Sequence, residues 1–176
     1  MIFYAVTLLL SDPKTAFCAV FCSIVHELGH YFAALMVGAR VNAFILYPFG
    51  AEMKLSFLRS YKNDIIISFF GPLINIFAAL IGNFLGIESF FVIYNLTLAF
   101  LNLLPIKHLD GGSILSALLL TRLYPNRAEG IVTAISFLLL VLLWGFAVYV
   151  FMMKGGSPSL FFIAVTLFAS TFLNRE

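Results

Sequence analysis

Two histidines and a glutamate, His26, Glu27 and His30, stand inside an otherwise apolar run. In a helix each residue turns about 100°, so His26 and His30 share one face a single turn apart. Two imidazoles at that spacing can hold one divalent metal. Glu27 projects to a neighbouring face, within reach of a metal-bound water. His-Glu-x-x-His on a helix is a zinc-hydrolase signature in which the histidines bind zinc and the glutamate is the general base. Zinc brings the pKa of its water toward about 7, and the glutamate takes the proton as the water attacks a carbonyl. The bland alternative is a set of satisfied polar contacts between helices. Ionisable groups in the middle of a membrane span are rare and usually functional, which favours the metal.

A catalytic zinc needs a third protein ligand and an open position. Outside the trio the main candidates are His108, Asp110, Glu52 and Asp64. Asp110 is favoured. It follows an apolar span and a proline in NLLPIKHLDGG, and Gly111 and Gly112 remove side-chain bulk beside it. It is read as a loop-held carboxylate, which membrane depth tolerates where protein or a watery cavity surrounds it. His108 is chemically able to ligate, but a polar position on the loop near the cytosolic surface explains it as well.

Cys18 and Cys22 continue the four-residue spacing of the histidines toward the amino terminus. Each such step drifts about 40° around the helix, so both leave the metal face and read as small buried hydrophobes. Asn75 and Asn102 are the other expensive polar groups. One reading is interhelical hydrogen bonding of modest worth. The other is that their amides hold a substrate peptide or stabilise an oxyanion. Gly71 and Pro72 precede Asn75 by one turn and are expected to loosen the helix there.

The elements that must position these groups are membrane spans. Of 176 residues, 62% are hydrophobic and only 10% charged, against about a quarter in a soluble domain. The net charge of +2 leaves no nucleic-acid footprint. The start MIFYAVTLLLSDPK has no basic n-region or small-residue cleavage site, so a cleaved signal peptide is not expected. The chain reads as one domain, 1–176, all-α and polytopic, with about six transmembrane helices. Residues 1–10 form a short first span. Thr15 to Gly38, Asp64 to Gly86, Ser89 to Leu104, Gly130 to Met153 and Pro158 to Leu173 form the others, with a short segment from Ser113 to Leu123. Residues 41–58, broken at Pro48-Phe49-Gly50, read as a re-entrant loop or hairpin after the metal-binding helix. An exposed strand edge there could pair with an unwound substrate segment, with Phe49 and Gly50 among the substrate-contacting residues. An interfacial loop packed on lipid is the competing reading.

With the amino terminus in the cytosol, eight of the ten basic residues fall on the cytosolic side: Arg40, Lys54, Arg59, Lys62, Lys107, Arg122, Arg127 and Arg175. Lys14 and Lys154 face the other side. That is a positive-inside bias.

HELGH, GPLIN and NLLPIKHLDGG, in this order across nearly the whole chain, resemble the site-2 protease family of intramembrane zinc metalloproteases. FILYPFGAEMKL and YNLTLAFLNLLPIKHLDGG are similar to its stage IV sporulation FB branch. The resemblance implies zinc on His26, His30 and Asp110, catalysis by Glu27, and substrate contact by Asn102. It implies cleavage of a membrane-associated protein within or near the bilayer, with a sporulation sigma-factor precursor as the branch's substrate. It places the chain in a bacterial cell membrane, in that branch the mother-cell membrane around the forespore, alongside membrane regulatory or inhibitory proteins. His108 stands where the branch commonly has proline. The sequence ends at Glu176 without a segment resembling the branch's nucleotide-sensing CBS domain, so CBS-mediated ATP control is not expected of it.

A different class of function is a non-catalytic membrane protein, either an inactive relative or a metal transporter. A transporter favours metal-binding side chains on several spans, whereas this chain has three histidines in all. An inactive relative is expected to lose Glu27, which is present.

Overall fold

The computed structural model describes residues 13–47, 50–56, 60–154, 165 and 168. Among these, five helices and one hairpin follow in order: α1 (Pro13–Met36), β1 (Arg40–Tyr47), β2 (Gly50–Ser56), α2 (Tyr61–Phe84), α3 (Ser89–Asn102), α4 (Asp110–Leu120) and α5 (Pro125–Lys154). The fold is helical apart from that hairpin. The expected spans at residues 1–10 and 158–173 lie outside the described residues, Val165 and Phe168 excepted.

Burial runs opposite to a soluble protein. Phe17, Phe32, Phe84, Phe100 and Met152 are exposed, while His26, His30, Asn75, Asn95 and Ser136 are buried. Apolar side chains outside and polar ones inside is the arrangement a hydrocarbon solvent selects. α1 shows why its neighbours can approach closely. Its buried residues are Ala16, Ala19, Cys22, Ser23, His26, Gly29, His30, Ala33 and Ala34, a stripe of mostly small side chains at helical spacing.

α1, α2 and the stretch Pro125–Val150 of α5 are long and apolar enough to cross a membrane. α3 has 14 residues and α4 has 11. At about 1.5 Å per residue, each is shorter than the roughly 30 Å hydrocarbon core. α3 therefore does not have the length of a full span on its own.

Residues 40–56 form an antiparallel two-stranded sheet, with Tyr47 opposite Gly50 and Arg40 opposite Ser56. An irregularity between Val41 and Ala43 shifts the register. Pro48 and Phe49, at the expected tip, lie outside the described residues. α1 and α2 both end on a left-handed glycine, Gly38 at φ 72° and Gly86 at φ 67°. Ala39 N–H donates to Ala34 O and Ile87 N–H to Gly82 O, the six-to-one bonds of a Schellman ending. That ending turns the chain out of α1 into the hairpin.

α2 is the hub. It packs on α1, α3 and α4, and α4 packs in turn on α5. The metal-binding face of α1 thus meets both the GPLIN turn of α2 and the start of α4.

Candidate metal centre

α1 brings His26 and His30 to one buried face, with ring centroids 4.8 Å apart and planes at 87°. Their Nε2 atoms lie 3.2 Å apart. Asp110 completes the group from α4: Oδ2 is 3.1 Å from His26 Nε2, and Oδ1 is 3.3 Å from His30 Nε2. These residues are the one group of three or more histidine, cysteine or acidic side chains, among the described residues, whose ligand atoms lie close enough for one ion.

The donor set fits zinc in chemistry and in size. Two imidazole nitrogens and a carboxylate are zinc donors, and bonds of about 2.0–2.1 Å at the tetrahedral angle set neighbouring donors about 3.3 Å apart. The two imidazole nitrogens, 3.2 Å apart, match that edge, and the carboxylate turns one oxygen to each of them, Oδ2 at 3.1 Å from His26 and Oδ1 at 3.3 Å from His30. Three protein donors leave a fourth position for water or substrate.

Ligand orientation is built from backbone. His30 Nδ1 lies 2.8 Å from Ile67 O on α2, so an Nδ1–H donated there leaves Nε2 for the metal. Ile67 lies five residues before Pro72, which stands inside the continuous helix and has no N–H to offer the carbonyl of Ser68. Gly29 and Gly71 let the two helices touch. A Cβ on Gly29 would lie 2.8 Å from Phe70 O, and a Cβ on Gly71 would overlap the His30 ring and come within 2.9 Å of His26 Cε1. Sequence reasoning reads Gly71-Pro72 only as a looseness before Asn75. The close seat of the imidazoles on Gly71 is a finding of the structure, although the Gly-Pro pair is its signal in the sequence.

Asp110 is not held in a loop as expected. It is the first residue of α4, after Leu109 in extended conformation (φ −107°, ψ 164°). The helix begins three residues earlier than Ser113 because Gly111 and Gly112 allow it. A Cβ on Gly111 would overlap the Leu103 carbonyl, and one on Gly112 the Ile106 carbonyl. A carboxylate in the first turn also sits at the positive end of the helix dipole. The preceding turn is pinned to α5, where Lys107 N–H donates to Ser136 Oγ (2.9 Å) and Ser136 donates to Val132 O (2.7 Å). Lys107 Nζ reaches Glu129 Oε1 at 2.7 Å on the surface.

The other candidates distribute as follows. Glu27 is half-buried on α1, next to His26 in the chain. His108 is exposed and outside the metal group. Asp64 lies in the first turn of α2, also outside it. Glu52 and Gly50 are in β2. Asn102 is the last residue of α3, half-buried, and donates to Leu98 O at 3.0 Å. Asn75 is 0% exposed, and neither of its amide atoms has a hydrogen-bond partner among the described residues. Cys18 and Cys22 are free thiols away from the metal group. Cys22 accepts from Asn95 Nδ2 at 3.1 Å, a buried link between α1 and α3 that sequence spacing does not reveal.

Comparisons with known proteins show the family. The family described as Peptidase family M50 matches residues 14–91 and 81–143. Stage IV sporulation protein FB of Bacillus subtilis (strain 168) is 32% identical over 177 aligned positions, covering 93% of this chain and 61% of that protein. Zinc metalloprotease MJ0392 of Methanocaldococcus jannaschii is 30% identical over 115 positions, 58% of this chain and 34% of that protein. The chain therefore spans less than two thirds of the length of these relatives. Among solved structures, the site-2 protease from Methanocaldococcus jannaschii superposes with a TM-score of 0.76 over 99% of this chain and 85% of that one, at 18% identity, a likeness of fold. A signature helix, an aspartate carried to it by an Asn-Leu-Leu-Pro turn, and a family match spanning both make this chain a membrane protein of Peptidase family M50.

Proposed function

We propose that this chain is an intramembrane zinc endopeptidase that hydrolyses a peptide bond of a membrane-associated protein within or near the bilayer. The observation that carries the reading is the convergence of two imidazoles and one carboxylate, zinc-type donors whose ligand atoms lie within 4.8 Å of one another, from α1 and α4. His26, His30 and Asp110 hold the metal. Bound zinc supplies Lewis acidity, lowering the pKa of a water and polarising the scissile carbonyl. Glu27 accepts the proton of the attacking water at its carboxylate and returns it to the leaving amide nitrogen. Its half-buried place beside the ligands, and not among them, suits a base.

The hairpin and Asn102 are the proposed substrate contacts. Each strand of a two-stranded sheet pairs along one edge and leaves the other available, so an unwound substrate segment can add as a strand. Unwinding is required because a helical peptide bond is shielded by its own turn. Gly50, the first residue of β2, and Phe49, which lies outside the described residues, are the proposed contacts of the hairpin, and the half-buried Asn102 amide at the end of α3 is the proposed hydrogen-bond partner of a substrate backbone. Asn75 is wholly buried and enters the proposal differently, below.

The chain sits as a multi-pass protein in a bacterial cell membrane, amino terminus in the cytosol, with the hairpin entering the membrane and α3 crossing only part of it. A sigma-factor precursor is the substrate that the resemblance to the sporulation branch points to, and the mother-cell membrane around the forespore is the matching location. Membrane regulatory proteins are further partners.

Purified protein and a tagged precursor test this with Glu27→Gln, which keeps the shape of the side chain but cannot take the proton. The variant is expected to retain about one zinc per chain, the stoichiometry of a three-ligand site. Cleavage is expected to fall at least about 10²-fold, the usual scale of general-base loss. Near-normal cleavage overturns the mechanism, and loss of zinc makes Glu27 a ligand.

A further inference from the structure

The two zinc-binding histidines are treated unequally. His30 has its distal nitrogen held by Ile67 O at 2.8 Å. His26 Nδ1 is buried and has no hydrogen-bond partner among the described residues. A metal-ligating histidine almost always donates its second N–H, and that bond sets the tautomer. A buried N–H left without one is costly. The same helix interface holds a second unpartnered polar group: both Asn75 amide atoms are buried without partners, on a residue 0% exposed.

The contacts of Gly71 and Ile67 fix how α1 and α2 run past each other. Gly71 is seated on the rings of His30 and His26, and His30 bonds to Ile67. Going from His30 back to His26 along α1 therefore corresponds to going forward along α2, from Ile67 through Gly71 toward Asn75. Side chains lean toward the amino terminus of their own helix. The His26 ring thus leans from the level of Gly71 toward that of Asn75. Asn75, one turn beyond Gly71 on the same face, leans back toward His26.

We infer that Asn75 is a positioning residue for the metal centre, holding His26 Nδ1–H through one buried water that accepts from the imidazole and donates to Asn75 Oδ1. The site is polar on both sides and shielded, where a bridging water is worth nearly as much as a direct hydrogen bond. Asn75 then does for His26 what the Ile67 carbonyl does for His30. Its amide acts on the metal through the ligand and does not touch substrate. This rests on the assignment of His26 as a zinc ligand.

The test uses the full-length protein in bilayers. Zinc affinity is measured by chelator competition for wild type, Asn75→Leu, Asn75→Ser and His26→Ala, and the three histidines are observed by nitrogen NMR. In zinc-loaded wild type, His26 Nδ1 is expected to be protonated, hydrogen-bonded and in contact with water. Asn75→Leu is expected to lose that signature and weaken zinc roughly 10- to 100-fold, the scale of losing an outer-shell partner. Asn75→Ser, which keeps a hydroxyl for the water, is expected to recover most of the affinity. A wild-type His26 Nδ1 without water contact overturns the inference, even if no variant folds. So does unchanged zinc affinity in Asn75→Leu, including the case in which only KM for the precursor rises. Wild-type zinc affinity in His26→Ala instead overturns the ligand assignment, a result separate from the role of Asn75.

Discussion

Gly71 lies directly beneath the imidazoles of His26 and His30, so close that a methyl group at its Cα would occupy the space of the His30 ring. Gly71→Ala is expected to push both ligands off the metal and weaken zinc binding at least about 10-fold, as for loss of a supporting partner. Gly145 is the matched control, because a methyl group there would meet nothing within 4 Å, and Gly145→Ala is expected to retain zinc. Metal content of the two purified variants decides it.

Asp110 and His108 are separated by a single residue but not by equivalent environments. Asp110→Asn should lose zinc on dialysis while the protein remains inserted, because a neutral amide replaces the carboxylate that faces both histidines. His108→Ala should retain it, since His108 lies exposed outside the metal group. The reverse ranking in metal content would assign the third ligand to His108.

Ser136 is a fully buried hydroxyl that accepts from Lys107 N–H. Ser136→Ala leaves that N–H without its acceptor and is expected to cost about 1–3 kcal/mol, read as a lowered Tm in detergent. Lys107→Ala removes only a surface ion pair with Glu129 and is expected to change Tm little. A larger loss in Lys107→Ala than in Ser136→Ala would mean that the ion pair, and not the hydroxyl, pins the turn before Asp110.

Arg127 and Lys154 stand near opposite ends of α5. At about 1.5 Å per residue roughly 40 Å of helix separates them, the thickness of a bilayer with its headgroups. Single cysteines there should label from opposite sides, with Arg127 cytosolic together with Arg122 by the positive-inside bias. Labelling of positions 127 and 154 from the same side would remove α5 as a span.

The local half of the metal centre was legible in the sequence. Helical periodicity alone puts His26 and His30 on one face with Glu27 beside them, and apolar composition alone makes the chain a membrane protein. Gly111 and Gly112 read as removing bulk beside Asp110, and the close carbonyls of Leu103 and Ile106 show what that bulk would have met. Two apolar arms around a Pro-Phe-Gly break read as a re-entrant loop or hairpin, and the arms do pair as antiparallel strands. Tertiary structure decided the rest, because it depends on contacts between residues far apart in the chain. Spacing cannot say that the Ile67 carbonyl takes the His30 ring nitrogen, that Gly71 is the floor of the site, or that Asn95 reaches Cys22. Asp110 could be chosen as a ligand by its chemistry, and its place as the first residue of a helix came from glycines packed against the carbonyls of the turn just before it, but only the packing of α4 on α2 carries it to the histidines. Local propensity is a short-range property, whereas the seat of an imidazole on another helix is set by which small residues meet when the helices pack.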